Sequence, residues 1–123
     1  MKGSKMDLNK MIKTLKANVD YQKVGMIASH LGVVRGSSRE GHKVTGIEVK
    51  YDRDAINNII QDIKRIDGVV EILVEINEGH LKVGDDILAV AVAGDIRENV
   101  FPALIKTVNR IKADASKKKE SYG

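Results

Sequence analysis

Three groups of cationic side chains stand in a fixed order along the chain. They are Arg35 in LGVVRGSSREG, Arg97 in AVAGDIREN, and Lys112, Lys117, Lys118 and Lys119 in IKADASKKKE. Each group follows an apolar segment able to fold, so the cations hang from the ends of ordered elements and can converge on one anionic ligand. Arg35 is followed by Gly36, Ser37 and Ser38, whose amides and hydroxyls can approach an anion beside the guanidinium. The same composition also suits a solvated hairpin turn. Arg97 falls in the first turn of a helix, where free amides and the dipole favour an anionic ligand and do nothing for a cation. An ion pair with Glu98 or Asp95 is the plainer alternative. Lys112 lies near the end of the same helix, where a cation suits the dipole, whereas a lysine run at a chain end is ordinarily solvated. If the run folds back over the Arg35 loop, a lysine held near arginines has its ammonium destabilised and is fitted to act as a nucleophile or proton donor.

Other chemistries drop out. His30, His42 and His80 have no ligand spacing, so no metal is expected. The absence of cysteine removes disulfides, thiolate metal sites and cysteine nucleophiles, and any sulfur chemistry must use sulfur carried by another molecule. There is no GxGxxG, Walker loop or serine-hydrolase pattern, and the GDD at 84–86 is a turn. The net charge of +4 favours anionic partners in general. Nucleic acid is disfavoured, because one Phe, three Tyr and no Trp leave few groups for stacking.

The elements that position the cations follow from periodicity. Residues 24–34, VGMIASHLGVV, are apolar enough for a strand, with Gly25 and Gly32 as bulge or close-approach points. VTGIEVKY alternates and is a half-exposed strand whose expected neighbour is the strand before it. Asp52 or Asp54 caps a helix with Ile56, Ile59, Ile60, Ile63 and Ile66 on one face, and Asp67-Gly68 stops it. VVEILVEIN alternates again, whereas ILAVAVA is apolar throughout and is the central strand, covered on both faces. The last helix starts near Asp95, with Asp95 and Glu98 at capping-box spacing, and either kinks at Pro102 or starts its regular part just before it. His30 falls in a strand, and His42 and His80 fall in loops.

With 123 residues and 42% apolar content the chain makes one domain. The expected layout is a polar N-terminus over 1–9, a single domain over 10–116 and a basic tail over 117–123. The order β-β-α-β-β-α, with an optional short helix over 11–15, gives an α+β fold with helices on a mainly antiparallel or mixed sheet. No run approaches the length of a membrane span and no signal peptide is visible, so a cytoplasmic protein without membrane contact is expected.

GMIASHLGVVRG, then VTGIEVKYD, then GHLKVGDDILAVAVAGDIRENVF and a helix ending in lysines together resemble the large, catalytic subunit of molybdopterin synthase. The resemblance spans about residues 24–120. It implies an α/β-hammerhead-like fold and a sulfurtransferase of molybdenum cofactor biosynthesis. Such enzymes convert cyclic pyranopterin monophosphate (precursor Z) into molybdopterin by installing two sulfurs as a dithiolene. The sulfur comes from a thiocarboxylate on the C-terminal Gly-Gly tail of a small ubiquitin-like subunit. A large-subunit homodimer at the centre of a heterotetramer is implied, and no cofactor.

Residue by residue, the resemblance makes Arg35 and Arg97 binders of the substrate phosphate or the partner's tail and Lys112 a lysine at the reacting centre. A second family lysine falls on Lys119 without a gap, the preferred match, or on Lys118 with a one-residue deletion. Two departures stand out. Ile96 occupies the place of a family histidine, and Ala115, Ser116, Lys117 and Lys118 replace a segment that carries Pro and Trp. They keep open a second reading, a non-catalytic relative that binds an anionic small molecule or a ubiquitin-like partner.

Overall fold

The run ILAVAVA forms the middle of β5 (Asp86–Gly94), the axis of the molecule, in a computed structural model that describes residues 6–18 and 20–123. β5 is flanked on both sides by antiparallel partners, β1 (Met26–Val33) and β3 (Val69–Ile76). Alternation along β5 divides its side chains between two layers. Leu88, Val90 and Val92 enter the main core with Ile56, Ile59, Ile63, Ile72, Val100, Val108 and Ile111, whereas Ala89, Ala91 and Ala93 pack against Met11 and Leu15. A strand buried on both faces needs no polar side, which is why this segment lacks one.

Three helices supply the cover. Helix α1 (Leu8–Lys16) is capped by Asp7, whose side chain accepts from Lys10 N–H, and it buries Met11 and Leu15. The optional helix over 11–15 is thus present and longer than expected, beginning inside the polar N-terminus. Residues 1–5 of that N-terminus lie outside the described residues. Helix α2 (Arg53–Lys64) is capped by Asp52 through Ala55 N–H at 3.0 Å and turns Ile56, Ile59 and Ile63 inward. Helix α3 (Arg97–Arg110) covers the same face of the β5 sheet and tolerates Pro102 in its second turn, continuing to Arg110. Its N-cap is Ile96, without a side-chain bond. Asp95, expected as a capping-box partner of Glu98, lies one residue too early. Its Oδ1 instead accepts from Ile96 N–H at 2.7 Å and Asn99 Nδ2 at 2.9 Å.

The second sheet departs from expectation. β2 (Val44–Tyr51) pairs with β4 (Gly79–Lys82) and with β6 (Ser116–Tyr122), both antiparallel, and not with β1. The reason lies in the ten-residue connection, 34–43, which is a small folded hairpin of its own. Ser38 N–H donates to His42 O, Ser38 Oγ accepts from His42 N–H, Gly41 adopts φ 88°, and Val44 N–H donates to Gly36 O. The strand that leaves it is carried onto another layer, where Val34, Val44, Ile47, Val49 and Leu81 form a separate cluster.

His80 therefore sits in a strand rather than a loop, with Nε2 3.2 Å from Glu48 Oε2. The lysine-rich end read as a tail over 117–123 is largely β6, in register with β2 from Val44↔Tyr122 to Tyr51↔Ser116. A five-residue π turn, Ile111–Ala115, links α3 to β6 and buries Ile111 and Ala115. The architecture is α+β with antiparallel sheets, as the sequence led us to expect. No helix among the described residues is long and apolar enough to cross a membrane.

Candidate functional site

The two sheets meet along a cleft of about 420 Å³, within the range that holds small ligands. One wall is the end of β1 with the hairpin after it, the other is β2 with β6, and the floor is Ile87 and Leu88 of β5. Strand alternation decides which side chains enter. On β2 these are Ile47, Val49 and Tyr51, and their cross-strand partners on β6 are Glu120, Lys118 and Ser116. The intervening pair, Glu48↔Lys119, belongs to the opposite face.

Four cations line the cleft against one carboxylate. Arg35 and Arg39 come from the hairpin, Lys112 from the π turn and Lys118 from β6, with Glu120 as the single acid. Among the described residues none of the four cations is in an ion pair, whereas Arg53, Lys64 and Arg110 elsewhere all have carboxylate partners. Unpaired cations concentrated against an apolar floor are an arrangement for holding an anion. The hairpin that carries both arginines is fixed by its own hydrogen bonds and by Ser38, one of two buried polar residues among those described. A π turn often marks a functional site, because its extra residue re-aims the side chains it carries. Here it carries Lys112, and Ser116 Oγ donates to the Lys112 carbonyl at 3.1 Å.

The sequence-derived residues therefore separate. Arg35, Lys112 and Lys118 share the cleft. Lys119 lies on the far face of β6, and Arg97 lies outside the cleft, 76% exposed and 3.9 Å from Glu98 Oε2. Ile96 just before α3 and Phe101 and Ile105 along it are also exposed. Two cleft residues escaped sequence reasoning. Arg39 sits in the same basic loop as Arg35 and was legible as a second cation there; His30 gave no signal beyond being a strand residue. Among the described residues no group of acids and histidines forms a metal site.

Tyr51 closes the cleft beside Ser116. Its phenol is pushed up to about 12, first by burial and second by the charge of Glu78. The folded state therefore holds this proton more tightly than the unfolded chain does. Its contribution to stability is complete below pH 10 and is lost as pH climbs from about 10 towards 12. Absorbance titration should show a phenol still neutral at pH 11, and Tyr51→Phe should remove that last step. A Tyr51 phenol with its titration midpoint at about 10 in the native protein would contradict it.

Comparison with known proteins gives a consistent picture. The model of the family described as MoaE protein matches residues 2–114. An uncharacterised protein of Methanocaldococcus jannaschii is 32% identical over 94 residues, covering 73% of this chain and 79% of that protein. Among solved structures, molybdopterin cofactor biosynthesis protein E from Burkholderia multivorans is similar with a TM-score of 0.77 at 26% identity, over 98% of this chain and 84% of that one. A chain from the protein–protein complex of subunits 1 and 2 of molybdopterin-converting factor from Helicobacter pylori shares the fold with a TM-score of 0.69 at 16% identity, over 96% and 84%. The family match stops short of Lys118, so the assignment of that strand's lysines rests on geometry.

Proposed function

The chain belongs to the MoaE family, the large subunits of molybdopterin synthase, and from that premise we propose that the cleft between its two sheets is where sulfur transfer takes place. The protein is a sulfurtransferase of molybdenum cofactor biosynthesis. The reading of the site is supported by one observation above the others: Arg35, Arg39, Lys112 and Lys118, from three separate stretches of chain, line one cleft.

Both reactants are anionic. The thiocarboxylate at the end of a small ubiquitin-like subunit enters the cleft and the phosphate of precursor Z binds beside it, with Arg35 and Arg39 anchoring charge through paired N–H donors. Lys112 and Lys118 hold the thiocarboxylate and offset the negative charge that develops as its sulfur attacks the pterin. Ile47, Val49 and Leu88 keep part of the cleft apolar, which strengthens each of these contacts. Arg97 joins the site through a homodimer, in which the exposed Ile96, Phe101 and Ile105 supply apolar surface and a second copy brings its arginine to the cleft. The complex of two different subunits in the Helicobacter pylori relative supports the small-subunit partner.

The test is direct. The purified chain, mixed with a thiocarboxylated ubiquitin-like subunit and precursor Z, should yield the dithiolene product. Tight binding of the partner with no product would favour a scaffold that kept the binding surfaces and lost the chemistry, the reading that Ile96 keeps open.

A further inference from the structure

His30 is the only histidine among the described residues lining the cleft, and nothing in the fold explains its presence. It lies on β1 opposite Val90, on the face where Ala28 joins the main core. Its Nε2 is buried and has no hydrogen-bond partner among the described residues. A buried polar nitrogen left unpaired costs stability that an aliphatic residue would not, so an occupant of the cleft is the natural candidate to satisfy it. The neighbouring position on the same face is Gly32, and the imidazole occupies the room this leaves: a Cβ there would lie 3.3 Å from His30 Nε2.

The charged surroundings set what the ring can do. Arg35 and Arg39 face the cleft from the hairpin, Lys112 from the π turn, Lys118 and Glu120 from β6, and the Tyr51 phenol from β2. β5 adds only Ile87 and Leu88, since its Asp86 accepts from Met6 N–H, and the buried face of α3 is apolar apart from Thr107. Burial first and the Lys112 charge second hold His30 below its ordinary value, so the empty cleft contains a neutral imidazole. A bound anion reverses the sign of the local field and offers the missing acceptor.

We propose that His30 is a ligand-binding residue of the cleft whose imidazole takes up one proton from solvent when an anion binds and donates the resulting N–H to it. The proton balance is simple: neutral imidazole plus a proton from water gives imidazolium, and release of the anion returns it. The proposal deepens the reading of the cleft as an anion site and rests on it. In the loaded site it gives a proton donor beside Lys112, where the established reaction needs charge neutralised.

Sulfate is the suitable probe, because it stays a dianion between pH 5 and 8 and requires no turnover. In the variant His42→Gln/His80→Gln, whose changes lie outside the cleft, the one remaining histidine can be titrated by NMR with and without saturating sulfate. Its pKa should rise by about one unit or more on binding, and calorimetry in buffers of different ionisation enthalpy should report proton uptake. Sulfate affinity should strengthen by roughly tenfold for each unit of that rise as pH falls through the titration. His30→Phe should bind sulfate with a flat pH dependence. Sulfate binding that leaves the His30 titration unmoved would overturn the proposal while sparing the anion site. Failure of sulfate to bind at all would overturn both. Because the titration is read in a protein that retains His30, a folding defect in His30→Phe does not decide the result.

Discussion

Lys118→Ala should lower sulfur transfer by about two to three orders of magnitude, the scale typical of removing one preorganised group that stabilises developing charge. Lys119→Ala, one residue on, should stay within about twofold of the parent protein. The contrast follows from the two-residue period of a strand. Lys118 is opposite Val49 on the cleft side of β6, and Lys119 is opposite Glu48 on the other face. Lys112→Ala should match the Lys118 loss, since both ammonium groups enter the same cleft from different elements. All three lysines are exposed and unpaired among the described residues, so removing any of them leaves the core untouched and the unfolding midpoint nearly unchanged. Single-turnover rates with thiocarboxylated partner and precursor Z decide the matter. A loss confined to Lys119→Ala would show that β6 is in the wrong register or that the chemistry lies on its other face.

A large stability effect should come from a small change, Gly94→Ala. Gly94 ends β5 where three segments cross: its carbonyl accepts from Gly25 N–H at 2.8 Å, and the neighbouring Asp95 N–H donates to Gly68 O at 2.9 Å. A Cβ at 94 would lie 2.4 Å from the Gly68 carbonyl oxygen and 2.6 Å from Val100 Cγ2. Backbone on one side and the core on the other leave no flexible atom to yield. Overpacking of this kind costs about 3 kcal/mol, and for a chain of this size the thermal midpoint should fall by roughly 10 °C or more. Gly84→Ala is the comparison. It replaces a turn glycine at φ 93° that meets nothing within 4 Å, so it should cost only the backbone strain of about 1–2 kcal/mol. Equal midpoints for the two variants in thermal melts would refute the crowding at 94.

What could be read from the sequence was whatever is encoded locally. The isoleucines of α2 repeat at helical spacing behind Asp52, and ILAVAVA has no polar side to expose, so both elements and the central place of β5 were legible. Pairing partners were not, because β2 meets β4 and β6 across roughly thirty and seventy residues of chain, and no local pattern records such distances. β6 was hidden for a further reason. SKKKESY has the composition of a solvated end, and only the ladder with β2 makes it a strand. The same gap hid half of the site. Arg35 and Lys112 could be chosen as ends of elements, but the separation of Lys118 from Lys119, the exclusion of Arg97 from the cleft of a single chain and the entry of His30 all depend on how the second sheet is assembled.

β6 also closes one side of its sheet, and among the described residues β2 alone pairs with it there, leaving its outer edge without a strand partner. Such a border invites another polypeptide to add itself and begin an aggregate. Consecutive Lys117, Lys118 and Lys119 put positive charge on both faces of this border. An identical strand arriving there would have to bring ammonium groups together in low-dielectric contact. The strand whose Lys118 lines the cleft on one side thus carries, at its border, charge that opposes the addition of a like strand.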